Sequence, residues 1–123
     1  MIALKRAYEP ASPDDGCRVL VERLWPRGLS KERAALDLWL KDVAPSPELR
    51  RWFGHRPERW DEFRGRYRDE LKSRPEEVAR LRELAAAGPL TLVYAAHDEV
   101  HNSARVLEEV LDEGSRSAAH GPR

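Results

Sequence analysis

A group of basic and aromatic residues around the segment "RLWPRG" has the side chains that suit an anionic ligand: Arg18, Arg23, Trp25, Arg27 and Lys31. A guanidinium beside free backbone N–H groups at a helix start suits a phosphate or carboxylate, and an indole ring can stack on a planar ligand. We predict that Arg23, Trp25 and Arg27 contact a small anionic molecule. In the alternative interpretation, Trp25 closes the edge of the core and the arginines pair with nearby acids.

A second group lies in the segment "YAAHDEVHN", from Tyr94 to Asn102. We expect Asp98 to cap the helix that follows, and we predict that Tyr94, Asp98, His101 and Asn102 offer polar contacts to the same ligand. If the protein is an enzyme, His101 is the predicted general acid or base and Arg27 the predicted phosphate clamp. Alternatively, this is a capped helix whose histidines are satisfied locally.

A metal site is a further interpretation of this segment. His97 and His101 are four residues apart and would share one face of a helix, where their imidazoles could ligate a transition metal. Asp98 or His55 would be the third ligand. The acid is not placed as in the H-E-x-x-H hydrolase motif.

The middle of the chain is rich in arginine. Residues 46–74 contain nine Lys and Arg against six Asp and Glu, and aromatic residues alternate with the arginines as in proteins that bind single-stranded nucleic acid. The aromatic positions also fit the spacing of a helical core, in which case the arginines form a solvated, salt-bridged face. His55 follows Gly54 in a predicted loop, from which it could reach the ligand.

Composition restricts the class of protein. The 22 basic residues balance 22 acidic ones, so no overall field favours nucleic acid or an anionic membrane. The only cysteine, Cys17, excludes an intrachain disulfide and suits a reducing cytoplasm. No apolar run reaches the roughly 20 residues of a membrane span. We therefore predict a cytoplasmic, single-domain protein that does not enter the membrane.

Three segments have the composition of strands: residues 2–8, 17–24 and 89–96. Between and after them, caps and apolar periodicity predict about five helices, which begin near Ser30, Ser46, Pro57, Ser73 and Val100. The first of these would place Leu36, Trp39, Leu40 and Val43 on one face, and Ser73 with Glu76 has the spacing of a capping box.

This order predicts an α/β fold with a small, mainly parallel sheet of about three strands, forming a single domain over residues 1–112. Residues 113–123 would be a disordered tail. Ligands of open α/β sheets bind beyond the carboxyl ends of the strands. If the second and third strands are adjacent and parallel, "WPRG" and "HDEVHN" line one crevice.

The chain also resembles a known family. The segments "RVLVERLWPRGLSKERAALDLWLKDVAPSPELRRWFGH", "RWDEFRGRYRDEL" and "LTLVYAAHDEVHNSARVLEEVL" are similar to the YeaO-like branch of the domain-of-unknown-function 488 family. This resemblance spans about residues 2–111 and implies a compact α/β fold in a prokaryotic, cytoplasmic protein, with no mechanism attached. Where the family pattern has Lys, this chain has His97.

The sequence as a whole favours binding of a small anion or nucleotide-like ligand in the crevice, by an enzyme of a phosphorylated substrate or by a binding protein. Nucleic-acid binding through the arginine-rich helices and metal binding through His97 and His101 are the alternatives. The sequence does not identify a cofactor or an oligomeric state.

Overall fold

The computed structural model describes residues 2–119, which contain a four-stranded sheet. The strands are β1 (Ile2–Arg6), β2 (Cys17–Leu20), β3 (Leu38–Trp39) and β4 (Leu90–Tyr94). They lie in the order β1-β4-β2-β3, and every neighbouring pair is parallel. The predicted α/β class and the parallel sheet are confirmed, with one strand more than expected.

Five α-helices accompany the sheet over the same residues. They are α1 (Lys31–Ala34), α2 (Pro47–Phe53), α3 (Trp60–Lys72), α4 (Pro75–Ala87) and α5 (Ser103–Ala119). The start of α2 agrees with its sequence signals, because the Ser46 side chain accepts a hydrogen bond from the N–H of Leu49 and Pro47 occupies the first turn. Gly54 ends this helix in the left-handed conformation.

The sheet separates two apolar clusters because successive side chains of a strand point to opposite faces. In the central strand β4, which is buried throughout, Leu92 and Tyr94 belong to the larger cluster and Val93 to the smaller. Residues from helices α2 to α5 complete the larger cluster. The smaller one lies on the other face, where Ala34 of α1 packs with Leu20 of β2.

The predicted helix from Ser30 through Val43 is wrong in its second half. Ser30 does cap α1, but the chain leaves the helix after one turn at Ala35, whose φ of 48° is left-handed. Asp37 then joins β2: its carboxylate accepts from the N–H of Arg18 at 2.8 Å, and its own N–H donates to the Arg18 carbonyl at 2.9 Å. The next two residues form β3, and Lys41–Val43 form a 3-10 turn. The apolar residues that have helical spacing in the sequence therefore belong to a short strand and a turn.

Two other helix starts differ from the prediction. Ser73 makes no capping box for α4. It ends α3 instead, where its hydroxyl donates to the carbonyl of Glu70 at 2.6 Å. Helix α4 begins at Pro75, which supplies the fixed φ of a first helical residue. Val100 precedes α5 and is 63% exposed, so it lies outside the apolar face of that helix.

Among residues 2–119, no helix is long and apolar enough to cross a lipid bilayer. Helix α5 extends over residues 113–119 of the predicted tail, and residues 120–123 lie outside the described part of the chain. The disordered tail and the domain limit at residue 112 therefore stay predictions.

Candidate functional site

A cleft of about 800 Å³ opens at the carboxyl ends of β2 and β4. These strands are neighbours, with Leu20 of β2 beside Val93 of β4, so the segments that follow them emerge side by side. Residues 22–24 line one part of the cleft, and residues 95–98 and 101–103 line a second part. Residues between 45 and 55 line a third part. The predicted adjacency of the two strands is confirmed, and its consequence is this cleft.

Glu22 is a carboxylate of the cleft that lies two residues beyond the end of β2. Its backbone is held in place because its carbonyl accepts a hydrogen bond from the indole of Trp39 at 2.6 Å. Its Oε2 accepts from the backbone N–H of Ala95, at the end of β4, at 3.1 Å. Burial raises the pKa of Glu22, while that hydrogen bond and the positive charges of Arg50 and His55 lower it by smaller amounts.

Three arginines line the same cleft. Arg23 is held to the backbone, with Nη2 donating to the Ala44 carbonyl at 3.1 Å. Arg51 is exposed and approaches Glu48 only at 4.0 Å. The side chain of Arg50 is exposed and has no hydrogen bond or ion pair within residues 2–113, although its charge acts on Glu22. A guanidinium that lines a cleft and makes no hydrogen bond within the fold is available to a ligand.

His55 lines the cleft and is the one histidine among residues 2–119 with a positive φ. It follows the left-handed Gly54 and has a φ of 57° itself. A non-glycine residue in this region is uncommon and costs on the order of 1 kcal/mol or more. Its ring lies 6.3 Å from the ring of Phe53. The exposed imidazole thus lines the cleft that the three arginines also line.

Asp98 and His101 form a pair on the opposite wall. The two carboxylate oxygens of Asp98 have different partners. Oδ1 accepts from the backbone N–H groups of Val100 and His101, and Oδ2 lies 3.0 Å from Nδ1 of His101. These hydrogen bonds lower the pKa of Asp98 to about 2. The imidazole also packs edge-on against Trp60, with ring centroids 5.2 Å apart.

Asn102, rather than Asp98, is the cap of α5. Its Oδ1 accepts from the N–H of Arg105 at 3.1 Å, and its Nδ2 donates to the Asp98 carbonyl at 2.9 Å. The residue is 4% exposed. Asp98 closes the preceding turn instead, so the expectation that it caps the helix is wrong by one turn. Asn102 borders the cleft, but its polar atoms are used within the fold.

Three of the predicted ligand-binding residues do not line the cleft. Trp25 packs edge-on against Trp39 at 5.4 Å in the smaller apolar cluster, and its indole N–H donates to the Leu29 carbonyl at 2.7 Å. Arg27 is exposed, and its carbonyl accepts from Tyr8 at 2.9 Å. Tyr94 is buried in β4, and burial raises the pKa of its phenol. The cleft therefore brings together Arg23, His55, Asp98, His101 and Asn102 from that set.

The two histidines proposed for a metal have separate partners. His97 lines the cleft and places Nδ1 3.4 Å from a guanidinium nitrogen of Arg6, whereas His101 faces Asp98. Within the described residues, no group of three His, Cys, Asp or Glu side chains is arranged to hold a metal ion.

The arginine-rich middle is largely a salt-bridged helical surface. Its arginines are joined to acids in the pairs Arg56–Glu58, Arg64–Glu109, Arg66–Glu62 and Arg68–Glu109. Arg59 and Arg66 lie over the ring of Trp52, and Arg59 also donates to the Trp52 carbonyl. These contacts occupy the named arginines and the partly buried indole of Trp52, which a single-stranded nucleic acid would need.

Glu22, Arg50 and Arg51 are charged residues of the cleft that the sequence interpretation did not propose as ligand contacts. Glu22 follows the buried run "RVLV", and this position just beyond a parallel strand is the signal that could have identified it. No comparable signal distinguishes Arg50 from its neighbours, because its lack of an acidic partner depends on tertiary structure.

The fold and the cleft define a small α/β protein with a site at the carboxyl edge of a parallel sheet. Residues 1–121 match the family described as the inactive DUF488-N3 subclade, and the chain belongs to that family. Uncharacterized protein YeaO from Escherichia coli K12 is 44% identical over 110 residues, which cover 89% of this chain and 96% of that protein. The YeaO-like resemblance is thereby confirmed.

A second bacterial relative is similar to the same extent. Uncharacterized protein Rv3073c from Mycobacterium tuberculosis H37Rv is 44% identical over 111 residues, covering 90% of this chain and 93% of that protein. No solved structure matches the chain.

Proposed function

We propose that this protein binds a small anionic ligand of nucleotide size, carrying a phosphate or carboxylate, in the cleft beyond β2 and β4. The observation that carries the proposal is Arg50, an arginine of the cleft whose side chain makes no hydrogen bond or ion pair within residues 2–113. Arg51 and His55 are exposed on the same wall. Guanidinium groups are the side chains best shaped for phosphate and carboxylate.

The walls of the cleft suit the rest of such a ligand. Phe53, Phe63 and Leu24 are among its apolar residues, and its size is within the range of roughly 300–1,000 Å³ that is typical of small-molecule sites. Arg23, already held by backbone carbonyls, adds a positive charge in a fixed position. The ligand would thus have its charged group at the arginines and its uncharged part against the aromatic wall.

Binding, rather than catalysis, is the function that we propose. The description of the family as inactive supports it. Asp98 fixes the His101 ring, and in our proposal its Nε2 accepts a hydrogen bond from a hydroxyl or N–H of the ligand, with no proton transfer required. A cytoplasmic location, expected from the single cysteine, belongs to the same proposal.

Isothermal titration with inorganic pyrophosphate and AMP tests the proposal. Arg50→Ala should weaken binding by roughly tenfold, the usual cost of losing one charge-assisted contact. Arg80→Ala is the matched control, because Arg80 is exposed on α4, has no partner within residues 2–113 and does not line the cleft. Equal affinities of the two variants, or no binding of either anion at low salt, would overturn the proposal.

A further inference from the structure

We propose that the cleft selects a ligand in which two neighbouring N–H donors stand near the anionic group, with the Glu22 carboxylate as their acceptor. Guanine nucleotides and guanidino acids such as arginine have this chemistry. The inference rests on the proposed anion site. It concerns a second part of the ligand, which Glu22 recognises through hydrogen bonds.

Glu22 has acceptor capacity that the fold does not use. Its Oε2 accepts one hydrogen bond, from Ala95, and no donor within residues 2–113 contacts Oε1. Each carboxylate oxygen can accept two hydrogen bonds, so both oxygens can still receive a donor from a ligand. The side chain is partly buried and borders the cleft, which is the direction from which such donors would come.

Folding alone does not account for a carboxylate at this position. Burying an ionisable group is unfavourable unless charge or hydrogen bonds compensate, and Glu22 forms no ion pair with Arg50 or His55, although their charges act on it. The hydrogen bond to Ala95 could equally be accepted by a neutral glutamine. A carboxylate retained here without a cationic partner is suited to a ligand that brings paired N–H groups.

The pattern of donors separates the nucleobases. Guanine presents N1–H and the N2 amino group side by side, and a carboxylate can accept from both at once. Adenine and cytosine place an acceptor nitrogen beside their amino group, so an ionised carboxylate meets a lone pair there. A guanidinium offers the same pair of donors as guanine. The apolar wall of Phe53 and Phe63 favours the nucleotide of these two sources.

Titration with GMP, AMP and L-arginine at pH 8, on the wild type and Glu22→Gln, tests the inference. GMP or L-arginine should bind the wild type at least roughly tenfold more tightly than AMP, because a mispaired hydrogen-bond edge costs about that much in affinity. Glu22→Gln should remove this preference: GMP or L-arginine should bind more weakly, and AMP should bind no more weakly than to the wild type, because the ionised carboxylate no longer faces the lone pair of adenine. The ligand preferred by the wild type identifies the source of the donors.

Arg50→Ala separates failure of this inference from failure of the anion site. If it weakens GMP and AMP alike, while the wild type does not distinguish GMP or L-arginine from AMP, the selection by Glu22 is wrong and the anion site stands. If neither nucleotide nor pyrophosphate binds, both proposals fail. Glu22→Gln keeps an acceptor for Ala95, and circular dichroism before titration confirms that the variant is folded.

Discussion

Asp98 and His101 contact each other twice within one turn of chain. Asp98 Oδ1 accepts from the backbone N–H of His101 at 2.8 Å, and Oδ2 lies 3.0 Å from Nδ1 of the same residue. An ionised carboxylate can only accept, so Nδ1 carries the proton and Nε2 of the neutral ring is an acceptor. The turn before α5 therefore fixes both the position and the tautomer of a histidine that lines the cleft.

The first prediction concerns the acid stability that Asp98 provides. Its folded pKa is lowered from 3.8 to about 2, so its charge stabilises the fold above pH 4, and this contribution is lost as the pH falls toward 2. Asp98→Asn imitates the protonated state. Urea unfolding of both proteins should show the wild type to be more stable at pH 6, with the difference vanishing near pH 2. A difference that is constant with pH would contradict this origin.

The sequence predicted part of the cleft on one condition, that β2 and β4 are parallel neighbours. The structure meets this condition, and residues that follow such strands meet at one edge of the sheet. Local chain direction was not predictable in the same way. The Glu22 carbonyl accepts from the indole of Trp39, and the N–H of Asp37 donates to the Arg18 carbonyl. These hydrogen bonds between segments distant in sequence draw residues with helical spacing into β3. Trp25 consequently packs away from the cleft.

The second prediction is that Glu22→Gln stabilises the free protein. Burial raises the folded pKa of Glu22, so ionisation at neutral pH costs folding free energy, which is recovered as the pH falls through that pKa. The variant should have a higher midpoint of thermal unfolding than the wild type at pH 8, and the gap should narrow as the pH is lowered to 4. A lower midpoint at pH 8 would show that the charge is compensated within the fold.

The third prediction tests the cap of α5. Asn102→Ala removes the acceptor for the Arg105 N–H and the donor to the Asp98 carbonyl, and should lower the free energy of unfolding by about 2 kcal/mol. Asn102→Asp is the matched control, since it keeps the acceptor and loses only the donor. Chemical unfolding should rank the three proteins with Asn102→Asp in the middle, and equal losses in both variants would contradict the capping role.

The fourth prediction compares two glycines. A Cβ on Gly16 would lie 2.4 Å from the Pro89 carbonyl oxygen, and its φ of 63° disfavours any side chain, so Gly16→Ala should cost about 2 kcal/mol or more. Gly65 is inside α3 with nothing within 4 Å of an added Cβ. Gly65→Ala should therefore stabilise by about 0.5–1 kcal/mol. Urea unfolding that moved both variants in the same direction would refute the comparison.

The fifth prediction separates the structural role of Trp25 from the ligand-binding role that its sequence context suggested. Trp25→Phe keeps an aromatic ring and loses the hydrogen bond to Leu29, so it should lower the free energy of unfolding by about 1 kcal/mol. Trp25→Leu also removes the edge-on contact with Trp39 and should cost about 2–3 kcal/mol. Neither change reaches the cleft, so the affinity for AMP should match that of the wild type in both.

Arg50→Ala provides the reciprocal control for this last prediction. The Arg50 side chain is exposed and makes no hydrogen bond or ion pair within residues 2–113, and its charge acts on Glu22 by less than burial does, so its replacement should change the unfolding midpoint little while it weakens AMP binding. Stability and affinity would then respond to different residues. If Trp25→Leu instead abolished AMP binding at a temperature where the variant is fully folded, the ligand would contact the "WPRG" segment, and the site would have to be moved from the cleft to that side of the sheet.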